Sequence, residues 1–435
     1  MIGAPERKLT AGGPRDAVRR EQRLLALLRS SGLTAVSGGG PYPEEDRLAT
    51  SSSMVRTHVH TLLDARARAL VLDVTEGARG ADVVEAVRYL ERELKAPARF
   101  LLLADTGADA PAAPALLQCS AALDRMGLQH EALLGSLEVE ELRKDLLAEL
   151  AFLMERADAR PRVVEAGRRF AKEKLVVFGP GGSRSTGEWL DADSLMSAFG
   201  VGVEPLRRDL LDERMALIAC AEGVVADPRL QRALHRLPAA LRTEEETLRD
   251  LCFFFATTDI LREREATCAV FCEDVREPPA RGLAWLADEE GPDGAAKDPL
   301  PAAAKGDFLT ALSARALALL AGAPAGCATF AGGAATAPLV LDASTLPRTF
   351  SQATGPCTLV RLARDGRGFV FHVLETEVGE RARLPVAIVR DLLGGGWPAP
   401  AAAVAPGSHG AALAELARSF AQRFRLHRPP GGIKP

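Results

Sequence analysis

The feature that most constrains the fold is an alternation of apolar runs with amphipathic segments along the first part of the chain. Runs such as "FLLLA", "LVVF" and "CAVF" lack polar alternation, which is typical of strands buried on both faces. Between them lie segments such as "ADVVEAVRYLEREL", whose apolar residues recur at helical spacing. A further short strand is predicted at "GLTAVSGG". The pattern indicates two doubly wound α/β domains, each with a parallel sheet covered on both faces.

The last part of the chain has a different pattern. The stretch "CTLVRLARDGRGFVFHVLETEV" predicts two antiparallel strands joined at "RDGRG", and "GAALAELARSFAQRF" predicts a closing helix. A long helical region at residues 138–174 is expected to be interrupted at Pro161. We therefore expect an α/β domain at residues 1–155, a second α/β domain at 156–345, a C-terminal antiparallel β-rich domain at 346–428 and a disordered tail at 429–435.

Composition excludes several classes of partner. The 435-residue chain has a formal net charge of −4, which gives no electrostatic basis for binding nucleic acid or an anionic membrane surface. It contains no apolar run of about 18 residues, so no membrane span is expected. Its seven cysteines are scattered and odd in number, which argues against a disulfide framework and favours a cytoplasmic location.

Five segments, in order, resemble the L-fucose/L-arabinose isomerase family. They are "QCSAALDRMGLQHEALLGS", "VVFGPGGSRSTGEWLDADSLMSAFGVGVEPL", "AAAKGDFLTALSARALALLAGAPA", "TGPCTLVRLARDGRGFVFHVLETEVGE" and "GGWPAPAAAVAPGSHGAALAELARSF". The resemblance implies an L-fucose isomerase-like fold of three domains. It also implies the family's chemistry, in which a divalent cation, usually Mn²⁺, is held by a Glu, an Asp and a His during conversion of an aldose to a ketose.

The family's metal ligands are not retained at the corresponding positions. The Glu of the turn before the third segment's helix corresponds to Lys305, with Gly306 and Asp307 retained after it. The Asp falls near Thr329, and the family's His pair falls on Ala399, Pro400 or Ala401. An ammonium, a hydroxyl and a methyl group do not replace the oxygen and imidazole donors that Mn²⁺ prefers. We therefore expect no metal and no cofactor.

Two interpretations of the lost ligands remain open. In the first, the site is rebuilt from nearby groups, for which Asp307, Asp342, His372 and His409 are the candidates. In the second, the metal is lost, and Lys305 either lies exposed at the helix start or acts as a buried amine whose positive charge replaces that of the metal. The ammonium charge at Lys305 favours loss of the metal, because it repels a cation nearby.

Other residues are candidates for binding a sugar or a sugar phosphate. Ser183, Arg184 and Ser185 lie in "GPGGSRSTG", a loop between strand and helix that suits an anion, although a plain loop fits the sequence equally. Glu375 and Glu377 share one strand face, where they either approach the sugar or face solvent. Trp397 either stacks on a sugar or packs in the core. Lys305 and Asp307 complete this candidate set.

Three functions follow as expectations. The first is a catalytically degenerate, metal-free isomerase homologue with a binding or scaffolding role. The second is an active Mn²⁺-dependent aldose–ketose isomerase with relocated ligands, and the third is an anion- or phosphate-binding module. The resemblance also implies a homo-oligomer, a trimer or a hexamer.

Overall fold

The structure is a computed structural model, and it describes most of the chain in two compact units, Met1–Asp158 (unit 1) and Ala159–Pro435 (unit 2). The described residues are 14–43, 52–65, 69–74, 78–94, 100–105, 112–128, 130–180, 189–207, 209–219, 227–242, 244–272, 278–331, 340–341, 355–366, 368–378, 397–398 and 401–427. Among them, no helix is both long and apolar enough to cross a membrane.

Unit 1 alternates helices with parallel strands. In chain order its elements are α1 (Pro14–Ser30), α2 (Ser52–Asp64), β1 (Leu70–Asp73), α3 (Gly80–Leu94), β2 (Phe100–Asp105), α4 (Ala112–Arg125), β3 (Glu131–Gly135) and the first part of α5 (Glu140–Phe170), whose residues from Ala159 onward belong to unit 2. The three strands form a parallel sheet in the order β1-β2-β3. The prediction of a parallel sheet is confirmed here.

Apolar side chains cover both faces of the unit 1 sheet. Phe100 and Leu102 of β2 pack with residues of α3 and α4 on one face. Leu101 and Leu103 pack with leucines of α1 and α5 on the other. This two-sided burial explains why β2 reads as a continuous apolar run, since its alternate side chains enter two separate cores.

Two local predictions for this part of the chain are wrong. The segment "GLTAVSGG" is not a strand, because it pairs with no other described strand. Helix α5 continues through Pro161 without interruption. A proline inside a helix costs about 3 kcal/mol, and burial of Leu153 on one side and Val163 on the other offsets that cost.

Unit 2 has the larger set of elements, with α/β alternation followed by a strand-rich part. They are β4 (Lys174–Phe178), α6 (Ala192–Phe199), β5 (Gly202–Leu206), α7 (Asp209–Ala219), α8 (Pro228–Arg236), α9 (Glu245–Glu263), β6 (Cys268–Phe271), α10 (Ala280–Ala287), β7 (Ala302–Ala303), α11 (Phe308–Ala321), β8 (Gly326–Ala331), β9 (Val340–Leu341), β10 (Gly355–Asp365), β11 (Gly368–Val378), β12 (Ala401–Pro406), α12 (Gly410–Ser419) and β13 (Arg423–His427).

The first sheet of unit 2 is parallel and has the order β5-β4-β6-β7. The second has six strands in the order β13-β11-β10-β12-β8-β9. Its centre is the predicted hairpin of β10 and β11, which is confirmed with Leu359 opposite Leu374. One core of buried side chains runs from α5 and β4 through α9 and α11 to β10, β11 and α12.

The prediction of a purely antiparallel C-terminal sheet is wrong. Strand β13 pairs parallel with β11, so the sheet is mixed. The predicted closing helix ends at Ser419, and its expected last residues form β13 instead. Strand β8 was expected in the second α/β domain but pairs with β12, with Thr329 opposite Ala401. Pairings between residues so far apart in the sequence are set by tertiary contacts, which local pattern does not encode.

Candidate functional site

The turn between β7 and α11 is where the isomerase resemblance places the first metal ligand. Lys305 is exposed there, and its φ of 56° lies in the left-handed region that non-glycine residues rarely adopt. Gly306 follows with a φ of 71°, and its N–H donates to the carbonyl of Phe271 in β6 (2.8 Å). The turn is thus fixed to the parallel sheet, and the Lys305 side chain points into solvent. Of the two alternatives for Lys305, the exposed one describes its position.

Asp307 directly precedes α11, and its carboxylate accepts hydrogen bonds at the start of this helix. Its side chain accepts from the Thr310 N–H (3.1 Å) and from the Thr310 hydroxyl (2.9 Å). The first of these satisfies a backbone donor that the helix itself leaves without a partner. The carboxylate also forms an ion pair with Arg361 of β10. The Arg361 side chain is fully buried, and it also donates to the Thr310 hydroxyl.

Helix α11 also closes the edge of β10. Strand β10 pairs with β12 only as far as Val360. Just beyond that point, the N–H of Leu362 donates to the Ser313 hydroxyl of α11 (2.8 Å). Asp307, Thr310 and Ser313 therefore tie one helix to one strand. The geometry of this Asp307–Arg361 cluster is that of a structural anchor in the core of unit 2.

No family model and no curated protein sequence matches this chain. The roles of its residues therefore rest on their contacts. Thr329 is exposed on β8, which lies beside β7. Ala399, Asp342 and the loop residues Ser183, Arg184 and Ser185 lie outside the described residues.

The two glutamates of β11 have different surroundings. Glu375 is half-buried and accepts from the N–H of Gly410, the first residue of α12 (2.8 Å). A carboxylate suits this position, because a helix N-terminus carries a partial positive charge. Glu377 is exposed. Glu375 therefore anchors α12 to the sheet, and only Glu377 faces solvent.

Trp397 is 7% exposed and packs in an aromatic cluster, so its ring is not a free stacking surface. Its indole N–H donates to the carbonyl of Ala401 (3.1 Å), and its ring lies 5.5 Å from that of His427. His427 is hydrogen bonded to His372 (2.9 Å between ring nitrogens). Burial lowers the pKa of His372 to about 4, with the charge of His427 adding to the effect. His372 is neutral at physiological pH.

His409 also has a local role. It directly precedes α12 without a capping hydrogen bond from its side chain, and its Nε2 is hydrogen bonded to the carbonyl of Pro406 (2.8 Å). Burial lowers its pKa. Within the described parts of the chain, no three His, Cys, Asp or Glu side chains are grouped to hold a metal ion. Lys305 and Thr329, at two of the expected ligand positions, carry no carboxylate or imidazole, and the carboxylate of the neighbouring Asp307 is paired with the Arg361 guanidinium.

Sequence reasoning missed Arg361 and the acids of unit 1. Arg361 stands in "LVRLAR", where it reads as a polar residue of an edge strand, and its partner Asp307 is 54 positions away. Asp73 and Asp105 end two neighbouring parallel strands. An acid after a buried strand was a usable signal, because ligands bind at the carboxyl ends of such strands.

Proposed function

We propose that this chain is an L-fucose isomerase-like protein that lacks metal-dependent isomerase chemistry and acts by binding or scaffolding. The resemblance of its five segments suggests the fold family. The ion pair between Arg361 and Asp307 is the observation that carries the functional part, because it occupies the one carboxylate retained in the expected ligand segment.

The donor chemistry supports the proposal. A divalent cation bound by Asp307 would have to replace Arg361, leaving a fully buried guanidinium without its carboxylate. Breaking a buried pair in this way costs about 3–5 kcal/mol. With the guanidinium in place, two positive charges would lie a few ångströms apart, which repels the metal further. Lys305 and Thr329 offer no carboxylate to compensate.

The deciding experiment measures metal and activity on the same purified chain. Mn²⁺ is titrated by calorimetry, and ketose formation is assayed on aldopentoses, aldohexoses and 6-deoxyhexoses with Mn²⁺ present. A known L-fucose isomerase, treated identically, is the positive control. We expect no stoichiometric Mn²⁺ binding and no turnover. One tightly bound Mn²⁺ per chain together with turnover would establish an active isomerase with relocated ligands.

The family resemblance also extends the proposal to assembly and ligands. We expect a trimer or a hexamer, measured by light scattering after size-exclusion chromatography. The ligand expected in unit 2 is a sugar or a sugar phosphate, tested by thermal shift with free sugars and their phosphates. The expectation of a scaffolding role rests partly on the oligomers of the isomerase family. A chain that is monomeric at micromolar concentration would remove that support.

A further inference from the structure

Unit 1 contains a cavity of about 480 Å³ beside β1. It is bordered by residues 69–73, which are consecutive, and by residues 32–39 opposite them. Because alternate residues of a strand point to opposite faces, a cavity bordered by all four consecutive residues of β1 lies along the edge of that strand. Strand β1 is the outer strand of the described sheet. The volume falls within the range of small-molecule sites, about 300–1,000 Å³.

The walls of this cavity are largely aliphatic. Leu24 and Leu28 come from α1, Leu62 from α2, and Leu150 and Met154 from α5. Among the described residues, the polar side chains that border it are few: Glu21, Thr34, Ser37, His58 and Asp73. An apolar chamber with a few polar groups is typical of a site for a small organic molecule.

Asp73 is the polar group that most needs a ligand. It ends β1, is 7% exposed and borders the cavity. Among the described residues, no backbone or side-chain group donates a hydrogen bond to its carboxyl. Buried carboxylates without donors are costly, so a bound group that supplies hydrogen bonds and positive charge stabilises this one.

The surrounding charges favour a cation. Glu21 and Asp105 act on Asp73 as like charges, and Arg20 is the opposing side-chain charge. The Glu21 carboxylate accepts from the Ser37 hydroxyl, and Asp105 accepts from the N–H of Leu137 (3.2 Å). The N-terminal amino group also opposes these carboxylates. Three carboxyl groups against this amino group and one guanidinium leave an excess of negative charge, which repels an anion and attracts an ammonium group.

We propose that this cavity binds a small primary amine with an apolar body, with the ammonium group on the Asp73 carboxylate and the body between the aliphatic side chains of α1, α2 and α5. Backbone carbonyls along the edge of β1 offer further acceptors to the ammonium protons. A free sugar fits less well, because its hydroxyls would face aliphatic walls that cannot hydrogen bond. This site is independent of the proposed loss of isomerase chemistry in unit 2.

The test measures binding of hexylamine, hexanol and hexanoate to the full chain by calorimetry, with phenethylamine as a second amine. We expect the two amines to bind, hexanol to bind at least about tenfold more weakly, and hexanoate not to bind. Failure of both amines to bind at millimolar concentration, or a preference for hexanol or hexanoate, would overturn the proposal.

Three variants locate the site. Asp73→Asn keeps the side chain's shape and is expected to weaken hexylamine binding at least about tenfold. Asp64→Asn makes the same charge change at an exposed position outside the cavity and is expected to leave binding unchanged. Val36→Phe adds bulk at a half-exposed lining residue and is expected to weaken binding at least about fivefold.

If Asp73→Asn does not fold, Val36→Phe still tests the proposal. This variant leaves every buried acid in place. Each variant is first checked for a native circular dichroism spectrum. Unchanged affinity in a folded Asp73→Asn protein, or in a folded Val36→Phe protein, would place the amine elsewhere.

Discussion

Arg361 and Asp307 form a buried ion pair across 54 positions of sequence, joining β10 to the start of α11. The carboxylate serves two purposes, because it also caps the helix through Thr310. In the segment for which the proposed isomerase resemblance implies a metal ligand, the Asp307 carboxylate is thus paired with a cation of the protein itself. The cation is a fixed structural element of unit 2.

Removing either partner of this pair should be costly. Arg361→Met and Asp307→Asn are each expected to lower the free energy of unfolding by about 3–5 kcal/mol, because each leaves a buried charge unpaired. Asparagine is a comparable helix cap, so Asp307→Asn tests the charge and not the cap. Urea unfolding followed by tryptophan fluorescence measures the effect, since Trp189, Trp285 and Trp397 all lie in unit 2.

The double variant Arg361→Met/Asp307→Asn tests whether the two side chains stabilise unit 2 through their ion pair or through independent contacts. It is expected to be more stable than the sum of the single effects predicts, with a coupling of about 2 kcal/mol. Additive losses would show that the two side chains stabilise unit 2 separately.

The strained turn before α11 gives a second prediction, at Lys305. Left-handed backbone costs a non-glycine residue about 1–2 kcal/mol, and glycine removes that cost while adding flexibility to the unfolded chain. Lys305→Gly is therefore expected to raise the free energy of unfolding by about 0.5 kcal/mol. Lys305→Ala, which keeps the strain, is the matched control and should change it little. A clear loss of stability in Lys305→Gly would mean that the lysine side chain makes a stabilising contact.

Part of this fold is encoded locally, and part is not. The runs at β2, β4 and β6 are buried on both faces, so their apolar character alone indicates a parallel sheet. Helix α11 is likewise marked by Asp307 before it and Gly322 after it. The strand β13 has an ordinary polar sequence, "RFRLH", and exists because it pairs with β11.

The candidate site divides in the same way. The residue types at Lys305 and Thr329 are enough to show that the ligand positions implied by the resemblance lack metal donors there. It does not indicate that Asp307 is paired, because Arg361 approaches through the mixed sheet from a distant segment. Nor does it show the cavity beside Asp73, which depends on how far residues 32–39 lie from β1.

Two glycines that end helices allow a matched comparison. Gly200 and Gly322 both have left-handed φ values (75° and 62°), and each N–H bonds the carbonyl four residues back (2.9 Å). A Cβ at Gly200 would lie 2.8 Å from the carbonyl oxygen of Ala171, whereas a Cβ at Gly322 would meet nothing within 4 Å. Gly322→Ala should cost about 1 kcal/mol from backbone conformation alone.

Gly200→Ala should cost at least about twice as much, because a backbone carbonyl cannot move aside as a side chain can. Tryptophan fluorescence during urea unfolding reports both variants. Equal losses would mean that the loop at Ala171 relaxes freely and that α6 does not fix its position.

The last prediction concerns the buried carboxyl of Asp73 and the pH dependence of stability. Burial raises its pKa from 3.8 to about 6, with the charges of the N-terminal amino group and Arg20 opposing the rise and Asp105 and Glu21 adding to it. Between pH 3.8 and about pH 6, the Asp73 carboxyl keeps its proton in the folded state and releases it in the unfolded state. The resulting stability is complete below the unfolded value and is lost as pH rises through about 6.

Asp73→Asn removes this loss, so the variant should be more stable than the native chain at high pH. Each pKa unit corresponds to about 1.4 kcal/mol, which gives an advantage of about 3 kcal/mol near pH 8 and about half of that near pH 5. Urea unfolding followed by circular dichroism at both pH values measures it, with the exposed Asp64→Asn as the control. A variant that is less stable than the native chain near pH 8 would show that the Asp73 carboxylate already has a stabilising partner, and the case for an amine in the cavity would lose its electrostatic basis.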